Sequence, residues 1–581
     1  MPAIVILIMA IAAIFIGYGL YAKNIDTKVI QPDDSKTAPA KMFMDGVDFI
    51  PANRNVLFGY QFKSIAALGP IVGPIVALRW GWLPALLWVL LGTFFIGWVQ
   101  DYSSIIVGVR EEGQTFGALS YRFISPRARN ILLIFIYCYL LLIMGAFGKI
   151  VGYDLMTNPA VPFGVFAVIV LGVLAGQMTY KWKVDIIITS IITVVLSFAG
   201  IWAGAFVTKS FFANLNASLG GSLNYFWTIV VLVICYLGAV LAIWRWAQPI
   251  NYVAFWIVFL GILGGYIGFL IWFPNVPADF PAFTNWDGIL YDPKTGEQAL
   301  GPLGWLWPVL FVTIACGAIS GWHSLVSTSG TARQLEKESD ALPVGGGAMF
   351  LEMFLATLAL MTGLIGVGAT TWPGKAEGEV VSGFGQYVSM VAAGKNAGVF
   401  ALGLSQFLKR IGIDPSFGTP YGSVFLTLMA LTIMYLVVRF MRVASAEFLG
   451  DAVPALKNVH VGSIVALILS AILIFTGFWS QVWVLFGGAN QLMASLALLI
   501  VSLWLRSKGK NYMWAFIPFI FMFVTTIGAL ITTVVLSLPN LTVGAVIADV
   551  LAVILIICAL ILAYDSIVSF SKPVPEEAKA S

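Results

Sequence analysis

Charge is scarce in this sequence. Of 581 residues only 10% are Asp, Glu, Lys or Arg, while 60% are hydrophobic, and that balance excludes a soluble globular protein, whose apolar share is near half. Cysteine is scarce as well. Cys138, Cys235, Cys316 and Cys558 each lie in an apolar run without CxxC spacing, which argues against a disulfide framework and against a zinc site. Only two histidines occur, His323 and His460, and they are not paired as haem ligands would be. A Walker lysine motif, HExxH and a GxSxG elbow are all missing. No enzyme, no bound metal and no cofactor are therefore expected, and any uphill transport must draw on an ion gradient. The net charge of +4 is small, and its Lys and Arg sit in short clusters between apolar runs. They set membrane topology and leave no nucleic-acid footprint.

What is present is apolar length. With a mean hydropathy of +0.95, the chain reads as an all-α polytopic membrane protein embedded in the lipid bilayer. Taking about 20 apolar residues per crossing, spans are expected near 3–22, 64–80, 83–108, 130–152, 161–180, 184–206, 224–244, 250–273, 303–325, 344–370, 420–440, 461–478, 481–504, 513–538 and 543–567. That is about fifteen transmembrane helices, in a range of 14–18. The first run lacks a basic leader and reads as a retained span. Lys and Arg clusters fall on one side if the N-terminus is outside and the C-terminus inside. The Gly-interrupted segment 383–412 must then enter and leave on the outer face or lie along it. One membrane domain, 1–570, is expected, with a core near 55–505 and peripheral helices at both ends. The tail 571–581 is expected to be disordered and cytoplasmic.

The stretch Asn55–Arg110 organises the rest. Its first span is interrupted by Gly69-Pro70 and Gly73-Pro74, and each proline removes an N–H and disfavours helix before it. Irregular backbone at membrane depth survives only where protein or a wet cavity covers it. Gln100 and Asp101 follow in the second span. For Asp101 a substrate or proton path, a structural hydrogen bond and an interfacial position all stay open. A second interruption runs from Ala315 to Thr331, where glycines precede Ser320, His323 and Ser324. His323 is suited to carry a proton near neutral pH, or else is a satisfied core histidine. Glu352, deep in the run Val344–Thr370, faces water or pairs with a cation. Asn490 and Gln491 follow Gly487-Gly488 and read first as a polar kink or helix contact. Lys149, Asp185, Arg79 and Asp549 read as snorkelling residues near span ends.

The segments NRNVLFGYQFKSIAALGPIVGPIVA, GWLPALLWVLLGTFFIGWVQD, CGAISGWHSLVSTSGTARQLEKESD with VGGGAMFLEMFLATLAL, and FGGANQLMASLALL closely resemble the carbon starvation protein family. The resemblance covers most of the chain. It implies a peptide transporter of the inner membrane, or for some members a pyruvate transporter working with a proton, in the amino acid–polyamine–cation superfamily. It further implies a LeuT-like core of inverted repeats with two broken helices. Carried over by position, the family's GPxxGP break falls on Gly69, Pro70, Gly73 and Pro74, its Gln-Asp pair on Gln100 and Asp101, and its ISGFH-like element on Ile319–His323. Its acid falls on Glu352 and its ANQL element on Ala489–Leu492. Where many members read GHHF, this chain has Gly59-Tyr60-Gln61-Phe62, so if those histidines carry protons in the family the route here differs, or coupling rests on Asp101, His323 and Glu352.

The reading from sequence is thus a multi-pass inner-membrane importer of small peptides. A half-helix N-terminus would draw the substrate carboxylate, Trp98, Tyr102 and Trp322 would offer aromatic surface, and a proton would be the coupling ion. Sodium is the alternative ion, because break carbonyls and hydroxyls suit a hard cation. A proton-coupled pyruvate or monocarboxylate symporter is the alternative function, and a nutrient-sensing receptor or channel a third.

Overall fold

In the computed structural model, which describes residues 1–46, 48–370, 372–373, 380–381, 383–475, 482–540 and 542–571, the chain is a bundle of helices. In order these are α1 (Ile4–Ile30), α2 (Arg54–Ile65), α3 (Gly69–Ala77), α4 (Trp82–Arg110), α5 (Pro126–Leu155), α6 (Pro162–Lys181), α7 (Ile186–Phe206), α8 (Lys209–Val240) and α9 (Ala247–Trp272). There follow α10 (306–313), α11 (321–331), α12 (Glu338–Ala369), α13 (Gly383–Ala392), α14 (Asn396–Lys409) and α15 (Pro415–Leu449). The last four are α16 (Val459–Phe475), α17 (Trp483–Ser507), α18 (Met513–Ser537) and α19 (Val543–Phe570). Two antiparallel strand pairs lie in loops, one with Leu290 opposite Leu300 and one with Trp372 opposite Val381.

Among the described residues twelve helices are long and apolar enough to cross a bilayer, or thirteen if α2 and α3, bent by 44°, form one span. The other two of the fifteen expected segments are α16, a 17-residue helix, and the interrupted pair α10–α11. The tail from 572 on lies outside the described residues.

Hydrogen bonds sort the helix ends onto two faces. Met1 and Ala3 bond to Val276 and Pro274, so the N-terminus shares a face with the loop between α9 and α10. On the opposite face Lys510 Nζ donates to the Val29 carbonyl at 2.7 Å, and Ser569 Oγ at the end of α19 donates to the Ile124 carbonyl at 3.2 Å. That second face gathers Arg110, Arg122, Arg333, Arg439 and Lys510. The segment 383–412 folds as α13 and α14, both too short to cross. Asp279 caps α13 at Phe384, Lys395 pairs with Asp154 at 2.7 Å, and Arg410 lies over the Trp272 ring. All three ties are on the N-terminal face.

The two broken segments run antiparallel. Ala52, just before α2, donates to the Gln334 carbonyl just beyond α11 at 2.9 Å, and Trp80, just beyond α3, accepts from Thr284 ahead of α10 at 3.1 Å. Asn53 starts α2 by accepting from the Asn55 amide at 2.9 Å, so this segment begins at 54 and not at 64. Polar Arg54, Asn55, Gln61 and Lys63 had lowered its hydropathy. The break itself is 66–68, and Gly69-Pro70 opens α3 instead of lying in the unwound part. Proline is favoured there, because its missing N–H is one the first turn cannot use. The second break, expected within 315–331, runs from Ile314 to Ser320.

The segments cross at their breaks, and glycine makes the crossing possible. A β-carbon on Gly69 would collide with the Cys316 side chain, and one on Gly73 would lie 2.8 Å from the Thr313 carbonyl oxygen and 3.0 Å from Ile314 Cα. Gly73→Val is expected to lower stability by about 1–3 kcal/mol, seen as a lower thermal midpoint in detergent. Gly19→Ala, where nothing lies within 4 Å, should leave the midpoint unchanged.

Candidate functional site

Seven residues outside regular helix at membrane depth leave carbonyls that need donors. In the break 314–320 the carbonyls of Ile314, Ala315, Gly317 and Ser320 have such donors. Gln491 Nε2 donates to the carbonyls of Phe311 (2.8 Å) and Ile314 (3.1 Å), and Asn490 Nδ2 donates to that of Ala315 at 3.2 Å. From α4, Thr93 Oγ1 donates to the Gly317 carbonyl at 3.1 Å and Gln100 Nε2 to that of Ser320 at 2.6 Å, with Ser324 Oγ as a second partner. Asn490 Oδ1 in turn accepts from Tyr139 OH, Ser320 Oγ (3.1 Å) and the Trp322 amide (3.2 Å). At the first break the Trp322 indole donates to the Ser64 carbonyl at 2.6 Å.

One turn into α11 stands His323, fully buried between two carboxylates. Its Nδ1 is 2.9 and 3.1 Å from the oxygens of Asp101 on α4, close enough to donate to that carboxylate. Its Nε2 faces Glu352 Oε2 on α12 at 3.2 Å, an ion-pair distance without hydrogen-bond alignment. Asp101, His323 and Glu352 are each 0% exposed. Both Glu352 oxygens, His323 Nε2, Gln100 Oε1 and Gln491 Oε1 are buried without a hydrogen-bond partner among the described residues. Unpaired buried polar atoms are rare and mark functional or hydrated positions. Cys316 Sγ lies within 4.8 Å of a ring nitrogen of His323 and an oxygen of Glu352, making these three a set able to share an ion. The thiol is already engaged, with Asn490 Nδ2 at 3.3 Å and Ser320 Oγ at 3.5 Å.

The charge arithmetic of this triad is simple. With both acids ionised and the imidazole protonated it carries one net negative charge, and a further proton makes it neutral. Uncompensated charge is costly in a dry interior, so the trio is a natural place to exchange a single proton.

The expected site residues therefore converge: Gly69, Pro70 and Gly73 at the crossing, with Pro74 beyond them inside α3, then Gln100, Asp101, Ser320, His323, Ser324, Glu352, Asn490 and Gln491 around it. Other expectations differ. Trp98 and Tyr102 turn away from the breaks, Trp98 toward Tyr21 and Trp514 and Tyr102 toward Asp26, because they lie on the flank of α4 opposite Gln100. Arg79 does not snorkel. It is 7% exposed and donates to the Gly288 and Gly301 carbonyls of the loop. Asp185 caps α7 at the Ile187 amide, 2.8 Å away. The half-helix N-termini are largely occupied too. Pro70 has no N–H, Ile71 and Val72 donate to the Leu68 carbonyl, and the Trp322 amide is taken by Asn490. Thr93, Tyr139, Cys316 and Lys63 were not foreseen. Lys63 alone carried a signal, a basic residue six positions before a GP step, but beginning the span at 64 hid it.

Residues 2–529 match the family model described as Carbon starvation protein CstA. The chain is 28% identical over 552 residues to the peptide transporter CstA of Bacillus subtilis, covering 90% of this chain and 89% of that protein. It is 27% identical over 600 residues to the pyruvate/proton symporter BtsT of Escherichia coli, covering 91% and 81%. Among solved structures, MhsT in complex with L-phenylalanine aligns over 89% of this chain and 99% of its own, at 13% identity and a TM-score of 0.46.

Replacing Asn490 by Leu would orphan the Ala315 carbonyl, Ser320 Oγ and the Trp322 amide together. A loss of about 1–3 kcal/mol per uncompensated group is expected, measured as a lowered thermal midpoint of purified protein. An unchanged midpoint would show that these bonds do not hold the break.

Proposed function

The chain belongs to the carbon starvation protein CstA family, and on that footing we propose that it is a proton-coupled secondary transporter that imports small peptides. The observation that carries this reading is the Asp101–His323–Glu352 triad, buried where two broken helices cross. The family and the relatives' names support transport over catalysis, sensing or passive conduction. A second reading, uptake of pyruvate with a proton, is favoured by the near-equal identity to the pyruvate/proton symporter, 27% against 28%.

The architecture supports a LeuT-like inverted repeat. Each broken segment is followed by an unbroken helix running back, α2–α3 by α4 and α10–α11 by α12, and the two units run in opposite directions. Asp101 and Glu352 stand on the two returning helices and flank the histidine of the second broken one. The clustering of Arg and Lys on the face opposite Met1 supports an N-terminus outside and a C-terminus inside the inner membrane. Residues 1–570 form one membrane domain in this reading.

A proton is the coupling ion. Four carbonyls at the second break, those of Gly317, Ser320, Ala315 and Ile314, already accept from Thr93, Gln100, Asn490 and Gln491, whereas the triad can accept one proton without moving a helix. Protonation from the outside removes its net charge, and the neutral, occluded site can then reorient with its substrate. Release of the proton inside restores the charge and resets the site.

The test is accumulation of labelled dipeptide and labelled pyruvate in proteoliposomes with an imposed proton gradient. Accumulation should fall as external pH rises to meet internal pH. It should also drop at least roughly tenfold in Asp101→Asn and Glu352→Gln, with counterflow exchange retained, and be indifferent to replacement of sodium by choline. Accumulation that persists with the proton gradient collapsed would refute the coupling.

A further inference from the structure

Among the buried cations of the described residues, Lys63 stands out. Arg439 is balanced by Asp48 at 2.8 Å, and Arg79 donates to loop carbonyls. Lys63 is 0% exposed in the last turn of α2, and its Nζ makes one hydrogen bond, to Thr432 Oγ1 of α15 at 2.6 Å. Thr432 Oγ1 itself donates to the Leu428 carbonyl at 2.6 Å, so it faces the lysine as an acceptor. An ammonium has three donors. Among the described residues the other two have no partner, and no Asp or Glu oxygen lies within ion-pair distance.

The surroundings are polar and belong to four helices. Ser64 accepts from Asn251 of α9 at 2.9 Å, Asn251 accepts from Tyr435 of α15, and Gln61 bonds Ser327 and Thr331 of α11. One turn further along both α2 and α15, at Tyr60 and Leu436, a cavity of about 80 Å³ opens toward the basic face. Arg333, Arg439 and Arg442 line it against Asp48 and Glu447, and the buried Arg442 Nε has no partner among the described residues. On α15 the residues Thr432, Leu436, Arg439 and Val443 follow at helical spacing, so one stripe leads from the cavity to the lysine. Trp322, against Phe440 at 5.4 Å and bonded to the Ser64 carbonyl, stands beside that stripe.

Resting on the transport reading above, we propose that Lys63 receives the substrate's carboxylate and is the residue that selects for it. A buried ammonium lacking a counter-ion is costly until an anion joins it, and a carboxylate does so through charge-assisted hydrogen bonds. The half-helix N-termini are poorly placed for this role, because the amides of Ile71, Val72, Trp322 and His323 are used within the protein. A peptide C-terminus and pyruvate present the same group, so Lys63 serves either substrate. Lys63 then holds the anion while the Asp101–His323–Glu352 triad holds the proton, and the arginine-lined cavity is the way out to the basic face.

The full-length protein in detergent is titrated with pyruvate, dialanine and dialanine amide, following the thermal unfolding midpoint. In wild type at least one of the two acids should raise the midpoint saturably, and the amide, which lacks the carboxylate, should not. The acid that does so identifies the source of the carboxylate. Lys63→Gln should need roughly tenfold or more ligand for the same shift, while Lys63→Arg retains the preference for acid over amide. If Lys63→Gln yields no folded protein, Lys63→Arg and the acid-to-amide comparison in wild type decide. The proposal is overturned if no carboxylate shifts the wild type, if the amide shifts it as the acid does, or if Lys63→Gln titrates as wild type. Lys63-dependent carboxylate binding without uptake of either substrate in proteoliposomes would keep the proposal and remove the transport reading. Uptake unaffected by Lys63→Gln would do the reverse.

Discussion

Backbone that is not helical has no solvent to turn to inside a membrane, and this constraint shapes the centre of the protein. Two helices break where they cross, and four side chains around the second break donate to its carbonyls. Asn490, Gln491, Thr93 and Gln100 are short, neutral and drawn from two unbroken helices, α17 and α4. They fix the break without bringing charge. Because these four carbonyls are satisfied by amides and a hydroxyl, the charged groups nearby do not have to serve them.

Those charged groups are few and separate into two sites. The triad places one imidazole between two carboxylates contributed by α4 and α12, the helices that return from the two breaks. Lys63 sits on the other side of the first broken segment, against α15. On the roles proposed above, proton and anion would meet the two broken segments, α2–α3 and α10–α11, from different flanks, so that a shift of those segments would change both environments together, which is the physical content of coupling in such an arrangement.

How much of this could be read from sequence follows from what each signal depends on. Asp101, His323 and Glu352 were legible because ionisable residues inside apolar runs are costly wherever the fold puts them. Gly69, Pro70, Gly73 and Pro74 were legible as interruptions, since proline and glycine act locally. Their partners were not. That Gly69 packs on Cys316, or that Tyr139 reaches Asn490, depends on tertiary contacts across more than two hundred residues. The exact break escaped too, because Gly69-Pro70 starts a helix as readily as it ends one. Lys63 lies beyond the reach of hydropathy, since the polar residues of α2 are either exposed at its start, as Arg54 and Asn55 are, or buried in protein further on, as Gln61 and Lys63 are, and so never needed to be apolar. Trp98 and Tyr102 are close to Asp101 in sequence, whereas helical periodicity turns them toward α1 and α18.

The most direct measurement is infrared difference spectroscopy of the reconstituted protein, following the carbonyl stretch of a protonated carboxylic acid as pH is lowered. If one proton is exchanged within the buried triad, a single such band should titrate in wild type and be lost or shifted in both Glu352→Gln and Asp101→Asn. A band that is absent from wild type, or one that both substitutions leave untouched, would contradict a proton held between Asp101, His323 and Glu352.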